Sequence, residues 1–139
     1  MLKEDKLSHY IETYQIEWAD PLPDNCPPED ILIPEAEEFY RLLLNEDKIV
    51  EDDWKTYTQL YPDQAYIGEK LILASGLSVN KDGDFNRLTK LSYMKRFKGI
   101  ALIKLNPTDG VLKKTKGENH YTWWRTTSFD TDKAEIINK

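Results

Sequence analysis

An α+β domain is the fold class this sequence predicts: an N-terminal helix and a proline-rich strap, then a small, mostly antiparallel sheet with helices on one face. Three observations lead there. Leu7, Tyr10, Ile11, Tyr14 and Trp18 recur at helical spacing near the start. Strand-like runs at 100–105, 111–114 and 120–126 are separated by Asn, Asp and Gly turns. The 139 residues, 40% hydrophobic and 12% aromatic, suit one domain with a core of its own.

In chain order, the apolar stripe predicts an amphipathic helix over residues 3–18, stopped by Asp20-Pro21. Five prolines between 21 and 34 deny the backbone its donors and hold it extended, a strap over the surface. Residues 35–44 fit both a helical stripe after Pro34 and a short buried strand, and length does not separate the two. A short helix is expected over 51–60, with Asp52 and Asp53 at its dipole-positive start and Trp54, Tyr57 and Leu60 on one side. Residues 70–79 contain a strand in which Gly76 marks a bulge or a close backbone approach. Leu88, Leu91, Met94 and Phe97 predict a helix over 86–97, ended by Gly99. The strands at 100–105, 111–114 and 120–126 then form a consecutive antiparallel meander with that helix against one face. The domain proper runs over 35–129, and residues 130–139 are a polar tail or one loose turn.

No apolar run approaches the roughly 20 residues of a membrane helix. Cys26 is the one cysteine, which excludes an internal disulfide and a Cys-cluster zinc site. Together with a charged start, Met1-Leu2-Lys3-Glu4-Asp5-Lys6, this points to a cytoplasmic location. The formal net charge of −6 is unevenly spread. Residues 1–63 hold 17 Asp/Glu and 5 Lys/Arg, a net of −12, whereas residues 64–139 hold 8 and 14, a net of +6. Either the halves neutralise one another, or a basic face is free for an anionic ligand and an acidic face for another partner.

Local motifs exclude several chemistries. Ser78, Asn80, Asp82 and Gly83 match the start of a calcium loop, but Thr89 stands where the bidentate Glu belongs, so the segment reads as an Asp-Gly turn. Ala74-Ser75-Gly76-Leu77-Ser78 is not a nucleophile elbow. No Gly-rich phosphate loop or metal-ligand spacing occurs, so no cofactor and no metal are implied. The most unusual string is His120-Tyr121-Thr122-Trp123-Trp124-Arg125. On a strand, His120, Thr122 and Trp124 share one face and Tyr121, Trp123 and Arg125 the other. Either helices and the strap cover both faces, or Trp123 lies in the core and Trp124 on the face that lines a pocket or meets a partner.

Cys26-Pro27-Pro28-Glu29-Asp30, Tyr40-Arg41-Leu42, Gly76-Leu77-Ser78-Val79, Ile100-Ala101 and His120-Tyr121-Thr122-Trp123-Trp124 together resemble the motif string of a family of small, uncharacterised bacterial proteins. The resemblance covers residues 26–125. It implies an α+β domain, favours a strand at 39–43, and brings no activity with it.

Two functional readings follow. The first is a non-catalytic cytosolic binding protein acting by protein–protein contact, like an immunity protein or antitoxin. The acidic first half, the aromatic strings and the lack of a catalytic constellation support it. The second is an enzyme or binder for a nucleotide, an NAD-like molecule or RNA. There Arg41, Ser75, Ser78, His120, Thr122 and Trp124 would converge on phosphate or ribose, as in ADP-ribosyltransferase-like pockets, by fold-level analogy. Glu118 is the nearest acid to finish such chemistry. Nucleic-acid recognition without catalysis would use Arg87, Lys90, Lys95 and Arg96 on the expected 86–97 helix, together with Tyr93 and Phe97.

Overall fold

The structure, a computed structural model, describes residues 6–137. It is an α+β fold built on one six-stranded antiparallel sheet. The strands are β1 (Glu37–Leu43), β2 (Leu77–Asn80), β3 (Gly99–Leu105), β4 (Gly110–Lys116), β5 (His120–Arg125) and β6 (Glu135–Ile136). The helices are α1 (Lys6–Tyr14), α2 (Tyr57–Leu60), α3 (Glu69–Ala74) and α4 (Phe85–Leu88).

Strand order is β4-β5-β2-β1-β3-β6, so β4 and β5 pair as the expected hairpin but β3 does not join them in a meander. β3 pairs instead with β1 along its whole length, Leu43 opposite Gly99 and Glu37 opposite Leu105. Residues 106–109 connect β3 to β4. That link reaches at most roughly 18 Å when fully extended, and part of it is a tight 3-10 turn at Pro107–Asp109. Five strands laid flat would hold the outer two about 19 Å apart. The sheet therefore curls until β3 and β4 converge.

The curl encloses one core. Phe39, Leu77, Val79, Ile103, Leu105, Leu112 and Trp123 fill it, closed by Trp54 and Phe129. Trp123 meets the Phe129 ring edge-on at 4.8 Å, and its indole N–H donates to the Asp109 carbonyl at 3.1 Å. A second core lies on the opposite face, where Tyr10, Ile31, Val111 and Trp124 pack under α1, the strap and α3. Both tryptophans are thus buried, at 0% and 1% exposure, one on each face. The expectation that Trp124 faces a pocket is corrected: a helix layer covers it.

Several element boundaries differ from the expected ones. The first helix, expected over 3–18, has its residues 3–5 outside the described residues and ends at Tyr14. Gln15 takes a left-handed φ of 53°, and Ile16 N–H reaches back to the Ile11 carbonyl at 3.0 Å. Trp18 then bridges to Thr126. The strap is a cover rather than a linker: Leu32 and Leu112 exchange backbone hydrogen bonds of 2.7 and 2.9 Å, pairing part of the edge of β4. Residues 37–43 are a strand, entered through Ala36 at a left-handed φ of 60°, which no continuing helix adopts.

The helix expected over 51–60 is two pieces, a 3-10 turn at Glu51–Trp54 and the single turn α2. Asp53 is responsible. Its buried carboxylate accepts from the backbone N–H groups of Leu44 and Val50, both at 2.8 Å, and so pins the segment to the end of β1. Residues 70–79 are helix and then strand, with Gly76 between them. A Cβ there would meet Thr122 Cγ2 at 2.6 Å, so the glycine marks a close backbone approach to β5. The expected 86–97 helix is only α4 and a 3-10 turn at Ser92–Met94. Asp84 caps α4 through the Arg87 N–H, the Thr89 hydroxyl turns back to the Phe85 carbonyl at 2.8 Å, and Leu91 is extended at ψ 143°. The polar tail carries the two-residue edge strand β6, which pairs with Ala101 and Leu102 of β3.

Candidate functional site

The second face of the sheet is only partly covered. α1, the strap and α3 lie over β4 and β5. The 81–84 turn rests on β1, where a Cβ on Gly83 would touch the Tyr40 ring. Between these covers a groove of about 620 Å³ is left open.

Its floor comes from β2 and β5. Ser78 stands opposite Thr122 and Asn80 opposite His120, so alternation puts all four side chains on the groove face. An irregularity in β4 between Lys114 and Lys116 brings Thr115 beside them. His120 Nδ1 and the Thr115 hydroxyl are 2.7 Å apart, and the Thr122 hydroxyl donates to Thr115 at 3.2 Å. The walls are apolar. Leu60, Leu73, Leu88, Met94 and Phe97 line them. Tyr57, Tyr61, Leu91 and Tyr93 also line the groove and are 38, 41, 56 and 63% exposed. Tyr57 and Tyr61 stack with ring centres 6.3 Å apart.

Four of the six residues expected to converge do meet in this groove: Arg41, Ser78, His120 and Thr122. Arg41 enters from the end of β1, and two of its N–H groups are committed. Nε donates to the Asp53 carbonyl at 2.8 Å and Nη1 to the Ser78 carbonyl at 2.7 Å. Burial pushes its guanidinium down to about 10, with the Asp53 charge opposing, so it stays charged at neutral pH. The other two are elsewhere. Ser75 is buried at the end of α3, its hydroxyl donating to the Leu71 carbonyl at 2.8 Å. Trp124 donates its indole N–H to the Ile72 carbonyl at 3.2 Å within the second core. Glu118 is 92% exposed in its side chain and faces Lys114 at 3.8 Å, outside the groove.

The basic residues expected on one helix are dispersed because that helix is broken. Arg96 lines the groove, its guanidinium over the Phe97 ring at 4.6 Å and within 3.4 Å of the Tyr57 hydroxyl. Arg87 lies outside and faces Asp82 at 3.3 Å and Asp84 at 3.9 Å. Lys90 and Lys95 are exposed on the same segment but do not line the groove. The sequence marks the rim only in part: Tyr93 sits among the basic residues read as a nucleic-acid contact, Leu91 reads as a core position on a helix, and Lys70 and Tyr61 fit no pattern.

The charged halves neutralise one another only in part. Lys81–Glu37, Lys113–Asp30 and Arg125–Asp20 pair across them at 2.8, 3.1 and 3.7 Å. Among the described residues no ion pair engages Lys70, Lys90, Lys95 or Arg96.

A second cavity, of about 710 Å³, opens beside Trp54 and Arg125. Its charged wall mixes Asp20, Glu51 and Asp132 with Lys55 and Arg125, and the buried Arg125 Nε has no partner there. Among the described residues no cluster of three or more His, Cys, Asp or Glu side chains is placed to hold a metal ion, and no helix is long and apolar enough to cross a membrane.

The residues of the motif string lie on the strap, β1, β2, β3 and β5. No family model matches the chain, and neither the curated proteins nor the solved structures contain a match to it.

Proposed function

We propose that this chain is a non-catalytic bacterial binding protein of the cytosol, acting by protein–protein contact in the manner of an immunity protein or antitoxin. One observation carries this reading: Tyr57, Tyr61, Leu91 and Tyr93 stand at the edges of an open groove whose walls are apolar. Large apolar side chains left in water cost free energy that a partner's surface recovers. Tyrosine beside arginine is the composition enriched at protein interfaces. The motif string is what supports a bacterial origin, and the lone cysteine supports a reducing compartment.

A second reading keeps one specific observation. Arg41, Ser78, His120 and Thr122 share the groove, as a nucleotide or NAD-like ligand, or RNA, would require. It is the weaker one because Arg41 already spends Nε and Nη1 on backbone carbonyls.

The test compares the full chain with Tyr93→Glu and Tyr14→Glu variants as baits in bacterial extract, with captured proteins quantified by mass spectrometry. A partner lost with Tyr93→Glu and kept with Tyr14→Glu is expected. Melts of the wild type with nucleotides and NAD should show no shift. A rise of several degrees with one of these, abolished by Tyr93→Glu, would move the assignment to the ligand-binding class.

A further inference from the structure

We propose that the groove takes an acidic segment of a partner protein, anchored by one or more large apolar side chains; this rests on the protein-binding reading and names the partner's chemistry. Four cations and two carboxylates line the groove, and their commitments differ. Asp53 gives its carboxylate to two backbone N–H groups, and Asp52 pairs with Lys55 at 2.9 Å. Arg41 is held by backbone carbonyls. What faces an incoming chain is therefore Lys70 on α3 and Arg96, both exposed and without an ion pair among the described residues, Arg96 giving one N–H to the Tyr57 hydroxyl. Lys90 and Lys95 add the same sign on the segment that carries Arg96, outside the groove.

An anionic occupant is favoured by that field, and the aliphatic part of the lining selects among anions. Tyr57, Tyr61, Tyr93 and Phe97 offer rings to a base as well as to a peptide, whereas Leu60, Leu73, Leu88 and Met94 add aliphatic surface that accepts Leu-, Phe- or Tyr-sized side chains. The 17 Asp/Glu of residues 1–63 also repel a long polyanion that runs beyond the groove. A peptide with a few carboxylates around an apolar anchor does not meet that objection.

The experiment is selection of a displayed random dodecapeptide library on the full-length protein. Enriched peptides are then synthesised, and their affinities measured by fluorescence anisotropy at low and high salt. Three chains are compared: wild type, Lys70→Glu/Arg96→Glu, and Leu91→Ser. All three positions are exposed, so unchanged melting temperatures will show that the variants fold. The expected result is enrichment of Asp/Glu beside Leu, Phe, Trp or Tyr, with binding weakened about tenfold or more by either variant and by added salt.

Peptides that bind through Leu91 but ignore the double charge reversal would overturn the acidic partner while leaving the protein-binding reading in place. Enrichment of Lys/Arg peptides, or none that depends on the groove, would overturn the proposal outright. So would a uridine oligonucleotide that binds at low salt and displaces the selected peptides, because it would put RNA in the groove.

Discussion

Replacing Trp124 by alanine separates the two-core architecture from a sheet with one open aromatic face. Trp124 is 1% exposed, packed with Tyr10, Ile31 and Val111, and donates to the Ile72 carbonyl at 3.2 Å. Truncating a buried tryptophan costs roughly 3–5 kcal/mol. The hydrogen bond adds little to that, about 1 kcal/mol, because Ser75 N–H also reaches the Ile72 carbonyl, at 3.3 Å. The expected loss is therefore about 5 kcal/mol, a large share of the 5–15 kcal/mol typical of a domain. It should lower the melting temperature by roughly 10–20 °C. Urea unfolding followed by far-UV circular dichroism measures it. Trp123→Ala is the matched control from the other core, and Trp124→Phe keeps a folded intermediate if alanine is too severe. A Trp124→Ala loss under about 1 kcal/mol, at an unchanged urea slope, would show that the second face is not the packed layer described above.

Three further outcomes are expected. Burial raises the Cys26 thiol from 9.0 to about 11, so iodoacetamide at pH 8 should modify it roughly 100-fold more slowly than a free cysteine, and at the ordinary rate once urea unfolds the chain; equal native and unfolded rates would contradict this. The Tyr10 hydroxyl donates to Pro107 at 2.6 Å and Gly110 at 3.2 Å, and burial lifts it from 10.0 to about 12. Wild type should therefore exceed Tyr10→Phe in stability at every pH below 10, with the difference disappearing as pH rises through 12; a constant difference in urea midpoints would refute it. Gly76→Ala should destabilise by roughly 1–3 kcal/mol because the new methyl meets Thr122 and the Trp123 carbonyl, and a thermal melt unchanged from wild type would mean β5 yields freely at that point.

The strands with two apolar faces, such as β3, were legible because a short dense run between turns has few alternatives. Their order was not. Sequence neighbours 100–105 and 111–114 read as a meander, and nothing local says that the sheet curls so that β1 and β2 come between β3 and the β5–β4 hairpin. The 51–60 stretch failed as one helix because Asp53 gives its carboxylate to the Leu44 N–H at the end of β1, and the 86–97 stretch because the chain turns extended at Leu91; periodicity counts apolar positions without seeing either. Half-legible sites followed. Alternation along β5 put His120 and Thr122 on one face, and the structure has both on the groove face, because period two survives any fold. Trp124 shares that face but lies under α1, the strap and α3, a cover no strand pattern reveals. The groove rim was misassigned because Tyr57 and Leu91 read as helix-face positions, whereas the structure has them, with Tyr61 and Tyr93, on single turns and loops.

Site-specific photocrosslinking in cells tests the central claim most directly. Benzoylphenylalanine replaces Tyr57, Leu91 or Tyr93 at the groove and, as controls, Tyr14, Leu32 or Ile136, all of which are exposed. Partner binding through the groove predicts one discrete protein adduct from the first three positions and none from the last three. The same adduct from Tyr14 or Ile136 with none from the groove positions would place the working surface elsewhere and contradict the assignment.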